Sequence, residues 1–418
     1  MLLQIGHELR AIREMNGFLR FLTFVASLHF VPAWAESSLV LNVSDPPAGV
    51  LSRSQSESLW SAYQTAGECM DHPTYGEGRS YRLKVRGADW FADAIWSNPF
   101  EPNSPVSGNS SMLVFAPQPL VKVKLDERYG EENGLVGQAA SWFQAASISL
   151  RKGATDDSKV LIRTTLLNWA EANALSKGIH VSWGKKPVDW QVMTLINAIL
   201  TTTAAMAPEF TKEERIVIGP WLNRLVSEVA ASSWRNRADN KAYFTAYITT
   251  VWAFMASDKA AAQHSADVTK LAIHDLRPDG SFPIDSQRGG MGLKYSTDSL
   301  GYLVMIAALV KANTGQDLFA YDAGGRTMNN AVDFLVSAIK DPSTVNQIYA
   351  IPCPESGDRF GSVDKPSLSF IDAAGYLGVY AALNPNANSA GFIRSKYGDG
   401  SNSESRVFAA PPGALISP

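Results

Sequence analysis

Arg288 and Tyr295 stand seven residues apart in "DSQRGGMGLKYSTDSL" (285–300), with three glycines between them. A guanidinium is a planar fork that can hold a carboxylate through two parallel hydrogen bonds, and a phenol can give and take a proton. A second group of interest lies upstream in "RNRADNKAYFTAY" (235–247), where Asn240 and Lys241 open a helical stretch. A helix N-terminus carries partial positive charge and free N–H groups, so an amide and a cation there make a seat for a carboxylate. Taken alone, that segment reads more simply as a helix capped by Asp239 or Asn240, with Lys241 in solvent. Taken with Arg288 and Tyr295, it completes the equipment for β-elimination on a uronate. In that reaction the C5 proton is removed, charge builds on the adjacent carboxylate, and the O4 leaving group departs. Neutralising the charge is the largest catalytic contribution, and one tyrosine can serve as base and then acid on the same face.

Other chemistries fit the residues less well. A phosphate loop requires G-x-x-x-x-G-K-[ST] between a strand and a helix, whereas here R-G-G-M-G-L-K-Y lies between helical segments. After residue 36 the histidines are His72, His180, His264 and His274, none in H-x-x-x-H or H-E-x-x-H spacing, and there is no cysteine cluster. No metal or other cofactor is expected, although loop carboxylates leave room for a structural calcium. Asp275, Asp279, Asp285 and Asp298 could supply the carboxylate pair of a glycoside hydrolase, yet aspartate at such positions is more simply a turn or cap residue. No G-x-S-x-G elbow is present for a serine hydrolase.

These residues need elements to position them. From about Leu135 the text falls into helical segments of 14 to 20 residues with short breaks, including 157–175, 188–206, 218–234, 240–257 and 261–276. Further helices are expected at about 295–313, 328–340 and 368–383. Thr211 with Glu214 forms a capping box in sequence, and Pro278 with Gly280 breaks the chain. Trp142, Trp169, Trp190, Trp221 and Trp252 recur one per segment, and the segments are apolar over more than one face. That pattern suits helices sandwiched between two layers. Residues 36–134 are rich in Ser, Pro, Gly and Asn with aromatic islands and should wrap around the helical part as loop. Within them "VKVKL" (121–125) reads as a short strand or an extended loop. The tail, 386–418, reads as loop-rich or disordered.

The 418 residues carry 37 Lys+Arg against 40 Asp+Glu, so no global basic field draws the chain to nucleic acid. Residues 1–35 read as a leader and signal peptide, with an apolar run ending in Ala33-Trp34-Ala35. Met15 makes a more usual start than Met1. A membrane anchor fits less well, because about 18 apolar residues are needed and His29 and Pro32 interrupt the run. The mature protein is expected in the periplasm or outside the cell, as a monomer with no membrane attachment. There Cys69 and Cys353 can be joined as a disulfide or stand as two buried thiols.

The sequence resembles the alginate lyases of α/α toroid fold, which cleave polymannuronate. "LLNWAEANAL", "VDWQVMTLINAIL" and "IGPWLNRLVSEVA" are similar to that family's successive Trp-bearing helices. "ADNKAYFTAYITTVWAF" is similar to its Asn-Asn-His-x-Tyr-Trp helix, and residues 279–309 to the segment carrying arginine and tyrosine seven apart. The resemblance covers roughly 135–320. It implies an all-α, incomplete (α/α) toroid over 135–385 that acts on an anionic polysaccharide without a cofactor. It also implies that Asn240 and Arg288 neutralise the carboxylate and that Tyr295 exchanges the proton. Lys241 and Lys294 stand where the family has histidines. Lysine can still neutralise charge but is a poor base at neutral pH. The substitutions therefore point to another uronate polymer, such as a glucuronate-containing exopolysaccharide, to weakened catalysis, or to a non-catalytic polysaccharide-binding or export-assisting protein on the same fold. Lys241 is grouped with the catalytic residues and Lys294 with the substrate-binding ones. Trp142, Trp183, Trp190, Tyr243 and Tyr247 are candidates for stacking on sugar faces, with core packing the competing role for each.

Overall fold

A computed structural model describes residues 39–58, 83–84, 86–100, 115–123, 133–177, 190–232, 238–342, 368, 370–371 and 374–398. The leader, Cys69, Cys353 and Trp183 lie outside them. The described helices are α1 (Ala88–Asp93), α2 (Asn133–Arg151), α3 (Asp156–Glu171), α4 (Trp190–Met206), α5 (Lys212–Ala231) and α6 (Asn240–Met255). They continue with α7 (Lys259–Asp275), α8 (Gly292–Thr314), α9 (Met328–Lys340), α10 (Leu377–Leu383) and α11 (Ala390–Tyr397).

The packing order follows from which helices can bury more than one face. Helices α2, α4, α6, α8 and α10 touch one another in that sequence, so every second helix joins an inner layer. The intervening helices back it: α3 and α5 pair with each other, α7 packs on α6 and α8, α9 on α8, and α11 on α10. This alternation is an all-α toroid of paired helices. Inner helices are buried nearly all round: in α6 every residue but Lys241 is buried, and in α8 the run Ser296–Val310 is. Outer α9 instead buries one stripe, Met328, Ala331, Val332, Leu335, Val336, Ala338 and Ile339.

Polar residues survive in the inner layer because they bond to their own helix. Thr201, Thr202 and Thr203 in α4 and Thr245, Thr249 and Thr250 in α6 each donate to the carbonyl four residues back. The capping box of Thr211 and Glu214 forms at the start of α5. A second, Thr327 with Asn330, opens α9.

Outside the helical core, Phe91 of α1 lies on Gly219 of α5, where a Cβ would come within 2.3 Å of the ring. Arg86 pairs with Asp258 at 2.6 Å. The "VKVKL" text, described as far as Val123, is a bend and not a strand. In the tail, α11 stands where the composition reads as loop; Ala390 and Ile393 give it a buried edge against α10. No described helix is long and apolar enough to cross a membrane.

Candidate active site

The start of α6, the loop from α7 to α8, and the first turns of α8 come together. Each part is shaped by its sequence. After α7, Gly280 takes φ +90°, and a Cβ there would meet the Asn330 carbonyl oxygen at 2.2 Å, so glycine lets the loop pass against α9. Two short 3-10 turns follow, Asp285–Gln287 and Gly289–Met291. Gly292 then opens α8 so close to Ser286 that a Cβ would lie 2.7 Å from its carbonyl oxygen. The glycines of this segment thus serve tight turns and close packing.

Asp239 caps α6. Its Oδ1 accepts from the N–H groups of Lys241 at 3.1 Å and Ala242 at 3.4 Å. The N–H of Asn240 donates to Asp285 Oδ2 at 3.2 Å. The positive end of α6, expected from sequence as a seat for a substrate carboxylate, is therefore filled by two of the protein's own carboxylates. Both are fully buried.

Arg288 closes the group. Its Nη2 donates to Asp239 Oδ2 at 3.0 Å and lies 3.6 Å from Asp285 Oδ1. Its guanidinium also lies over the Tyr295 ring, 4.3 Å from the centroid. Only 4 % of Arg288 is exposed, so it is not an open fork on the surface. It is a cation held between buried carboxylates and the Tyr295 ring. Ser299, one helical turn beyond Tyr295, donates to Asp285 Oδ2 at 2.5 Å. Burial pushes the Asp285 carboxyl up to about 7, with Arg288 opposing the rise and Asp239 adding to it.

Tyr295 is half-buried. Lys294 lies 5.3 Å from its ring centroid and donates to Asp298 Oδ2 at 2.9 Å. Burial raises the Asp298 carboxyl while Lys294 holds the rise back. Asn240 is 2 % exposed, and its side-chain Oδ1 is buried with no hydrogen-bond partner among the described residues. Such an atom costs about 1–3 kcal/mol. Lys241 follows it, half-buried, in the first turn of α6.

The structure thus places Arg288 and Lys294 at the Tyr295 ring and ties Asn240 to the same group through Asp285, with Lys241 next to Asn240 in the chain. The aromatic candidates divide. Tyr247 is fully buried, 6.2 Å from the ring of Tyr302, and burial raises its phenol. Tyr243 is 3 % exposed and packs toward Phe282. Both are core residues and not sugar platforms, because the inner position of α6 leaves neither an open face. Trp190 is half-buried with its ring against Phe244, and Trp142 is half-buried edge-on to Phe143. Tyr302, also fully buried, has its phenol raised by burial and by Asp298. Among the described residues no three His, Cys, Asp or Glu side chains gather as metal ligands would.

From the sequence Asp239 reads as a mere cap and Asp298 as a turn or cap residue or a hydrolase carboxylate, while Ser299 goes unnoticed. A usable signal was present, since Asp285 with Arg288 and Lys294 with Asp298 are acid–base pairs at helical spacing.

The sequence model of the alginate lyase family matches residues 167–345, a stretch that contains Asn240, Arg288 and Tyr295. Over that stretch the chain is similar to the alginate lyases. A polysaccharide lyase of Stenotrophomonas maltophilia is 28% identical over 193 residues, covering 43% of this chain and 55% of the relative. The chain thus spans about half the length of that curated relative. Among solved structures, alginate lyase A1-III complexed with tetrasaccharide superposes with a TM-score of 0.56 at 16% identity, over 82% of this chain and 99% of the other. Alginate lyase A1-III from Sphingomonas species A1 gives 0.54 at 17% identity, over 79% and 95%. At that identity these structures show a shared α/α toroid fold.

Proposed function

We propose that this protein is an exported polysaccharide lyase that cleaves a uronate-containing polymer by β-elimination. The observation that carries the reading is Tyr295 at the head of an inner helix, with the cations of Arg288 and Lys294 at its ring and the unpaired amide oxygen of Asn240 in the same group.

Tyr295 takes the C5 proton and returns it to the departing O4. The amide of Asn240, with its NH2 end turned outward as a donor, meets the uronate carboxylate together with Lys241. Arg288 supplies positive charge from below the phenol, where charge develops in the transition state. Lys294 is engaged by Asp298 and serves as a cation, not as a second base. A single tyrosine then suits substrates in which proton and leaving group lie on the same side, as in polymannuronate. A glucuronate-containing exopolysaccharide is the other substrate considered. The hydrolase alternative is less well supported by its first candidates, since Asp279 is exposed and accepts from Ser281 N in a turn while Asp285 lies in the buried ion group.

The test is to incubate purified protein with polymannuronate, polyguluronate, glucuronan and bacterial exopolysaccharides. The product to follow is the ultraviolet absorbance of the unsaturated uronate. Product from at least one polymer, lost in Tyr295→Phe, is the expected result. Oligouronate binding without product from any polymer would make the protein a binding module on the lyase fold.

A further inference from the structure

Two carboxylates share one guanidinium under Tyr295, and only one of them is needed to cap α6. Asp239 does the capping, through Lys241 N and Ala242 N. Asp285 comes from a different element, the turn before α8, and makes three contacts that each touch the proposed machinery. It accepts from Asn240 N at 3.2 Å, lies 3.6 Å from Arg288 Nη2, and accepts from Ser299 Oγ at 2.5 Å on the helix that carries Tyr295. We infer that Asp285 is a positioning residue for the β-elimination: it fixes Asn240 and Arg288 relative to Tyr295, and its charge state sets how much positive charge Arg288 presents to the reacting uronate. The inference rests on the lyase reading above.

The charge count explains why. With both carboxylates ionised, Asp239, Arg288 and Asp285 sum to −1, and the group repels an incoming anionic sugar. With Asp285 protonated the sum of these three is zero. The groups facing Asp285 are Asp239 and the Asn240 N–H from α6, Arg288 from its own loop, and Ser299 from α8. Beyond Tyr295 lies the Lys294–Asp298 pair, whose Asp298 also feels Arg288. Burial works against a second negative charge in this space, and a carboxyl lifted to about 7 changes state within the neutral range.

The experiment measures kcat/KM for oligomannuronate, and its binding by calorimetry, as pH is raised through neutrality. In the wild type both decline as pH passes about 7. In Asp285→Asn, which keeps the shape and cannot ionise, that decline is absent. In Ser299→Ala it moves to higher pH, because the lost hydrogen bond favours the carboxylate. A residue that only supports the fold would lower activity at every pH and leave the decline in place. That pattern in both variants overturns the inference while leaving the lyase reading intact. If Asp285→Asn does not fold, the direction of the Ser299→Ala shift decides. Wild-type protein that neither binds nor cleaves any uronate oligomer at any pH removes the lyase reading, and this inference with it.

Discussion

At the scale of residues the proposed site is one tyrosine beside charges that are already partly spent on each other. Tyr295→Phe removes a single oxygen from a half-buried ring, so the stack on Arg288 should survive while proton transfer is lost. The expected outcome is a fall in kcat of roughly 10²–10⁴-fold with an unchanged melting temperature, measured by unsaturated-uronate assay and calorimetry. Asp285 gives a second prediction, in stability. Its folded carboxyl binds a proton more tightly than the usual carboxylate, so the contribution is fully present in acid and disappears as pH rises toward about 7. Urea midpoints of wild type should drop between mildly acidic and mildly alkaline buffer by more than those of Asp285→Asn. Equal drops would show that Asp285 does not titrate in the folded protein. The sequence named Asn240, Arg288 and Tyr295 from residue type and spacing. It could not reveal that Arg288 is claimed by Asp239 across 49 positions, because such a pairing exists only once α6 and the α8 loop are packed. Tyr243 and Tyr247 illustrate the same limit, since an aromatic side chain reads alike whether it lines a cleft or fills a core.

At the scale of elements, legibility was high and has a physical cause. Side-chain caps open α3, α5, α6, α7 and α9, and the expected spans fall within a few residues of α3 to α9, except that α5 starts six residues before the expected 218, at its capping box. All-round apolar text marked the inner helices because a helix walled in by neighbours has no face left for charge. The short connection helices were harder: α11 has eight residues and a narrow buried edge, too little period to stand out from Asn- and Ser-rich text. Close approach was also hidden. Gly219 precedes Pro220 in α5 and reads as a helix weakness, whereas its role is to admit Phe91. Gly219→Ala should therefore destabilise by about 1–3 kcal/mol, as overpacking does, despite the better helix propensity of alanine. A melting temperature at or above wild type would mean that α1 yields freely. Thr211→Ala, at a cap with no such contact, should cost about 1 kcal/mol.

At the scale of the whole molecule, the N-terminal segment is bound to the toroid by polar contacts that no local pattern announces. Lys270 of α7 is 1 % exposed, and its ammonium is matched to three acceptors: the carbonyls of Asn42 and Asp45, both at 2.8 Å, and Asp267 at 2.9 Å. Gln263 exchanges hydrogen bonds with the backbone of Asn42, and Gln316 with that of Leu41. A lysine on a helix is ordinarily read as a solvated side chain, so this anchor stayed invisible until Asn42 and Asp45 were seen opposite it. Lys270→Met keeps the length and apolar stem but removes the ammonium from the Asp45 carbonyl and leaves the Asn42 carbonyl and Asp267 with Gln263 Nε2 as donor. The loss should be about 1–3 kcal/mol, the cost of taking a donor from buried acceptors, because Asp267 is 32% exposed and keeps Gln263 as a donor. It should also be local first: amides of residues 41–45 ought to exchange faster than those of α6 and α8, and protease should cut there before the helices open. Hydrogen exchange followed by mass spectrometry separates the outcomes. Faster exchange confined to the segment, with turnover retained, makes it a clasp on the outside of the toroid. Faster exchange that spreads into α6 and α8, with turnover lost, means that the clasp braces the inner layer on which Tyr295 and Asn240 depend.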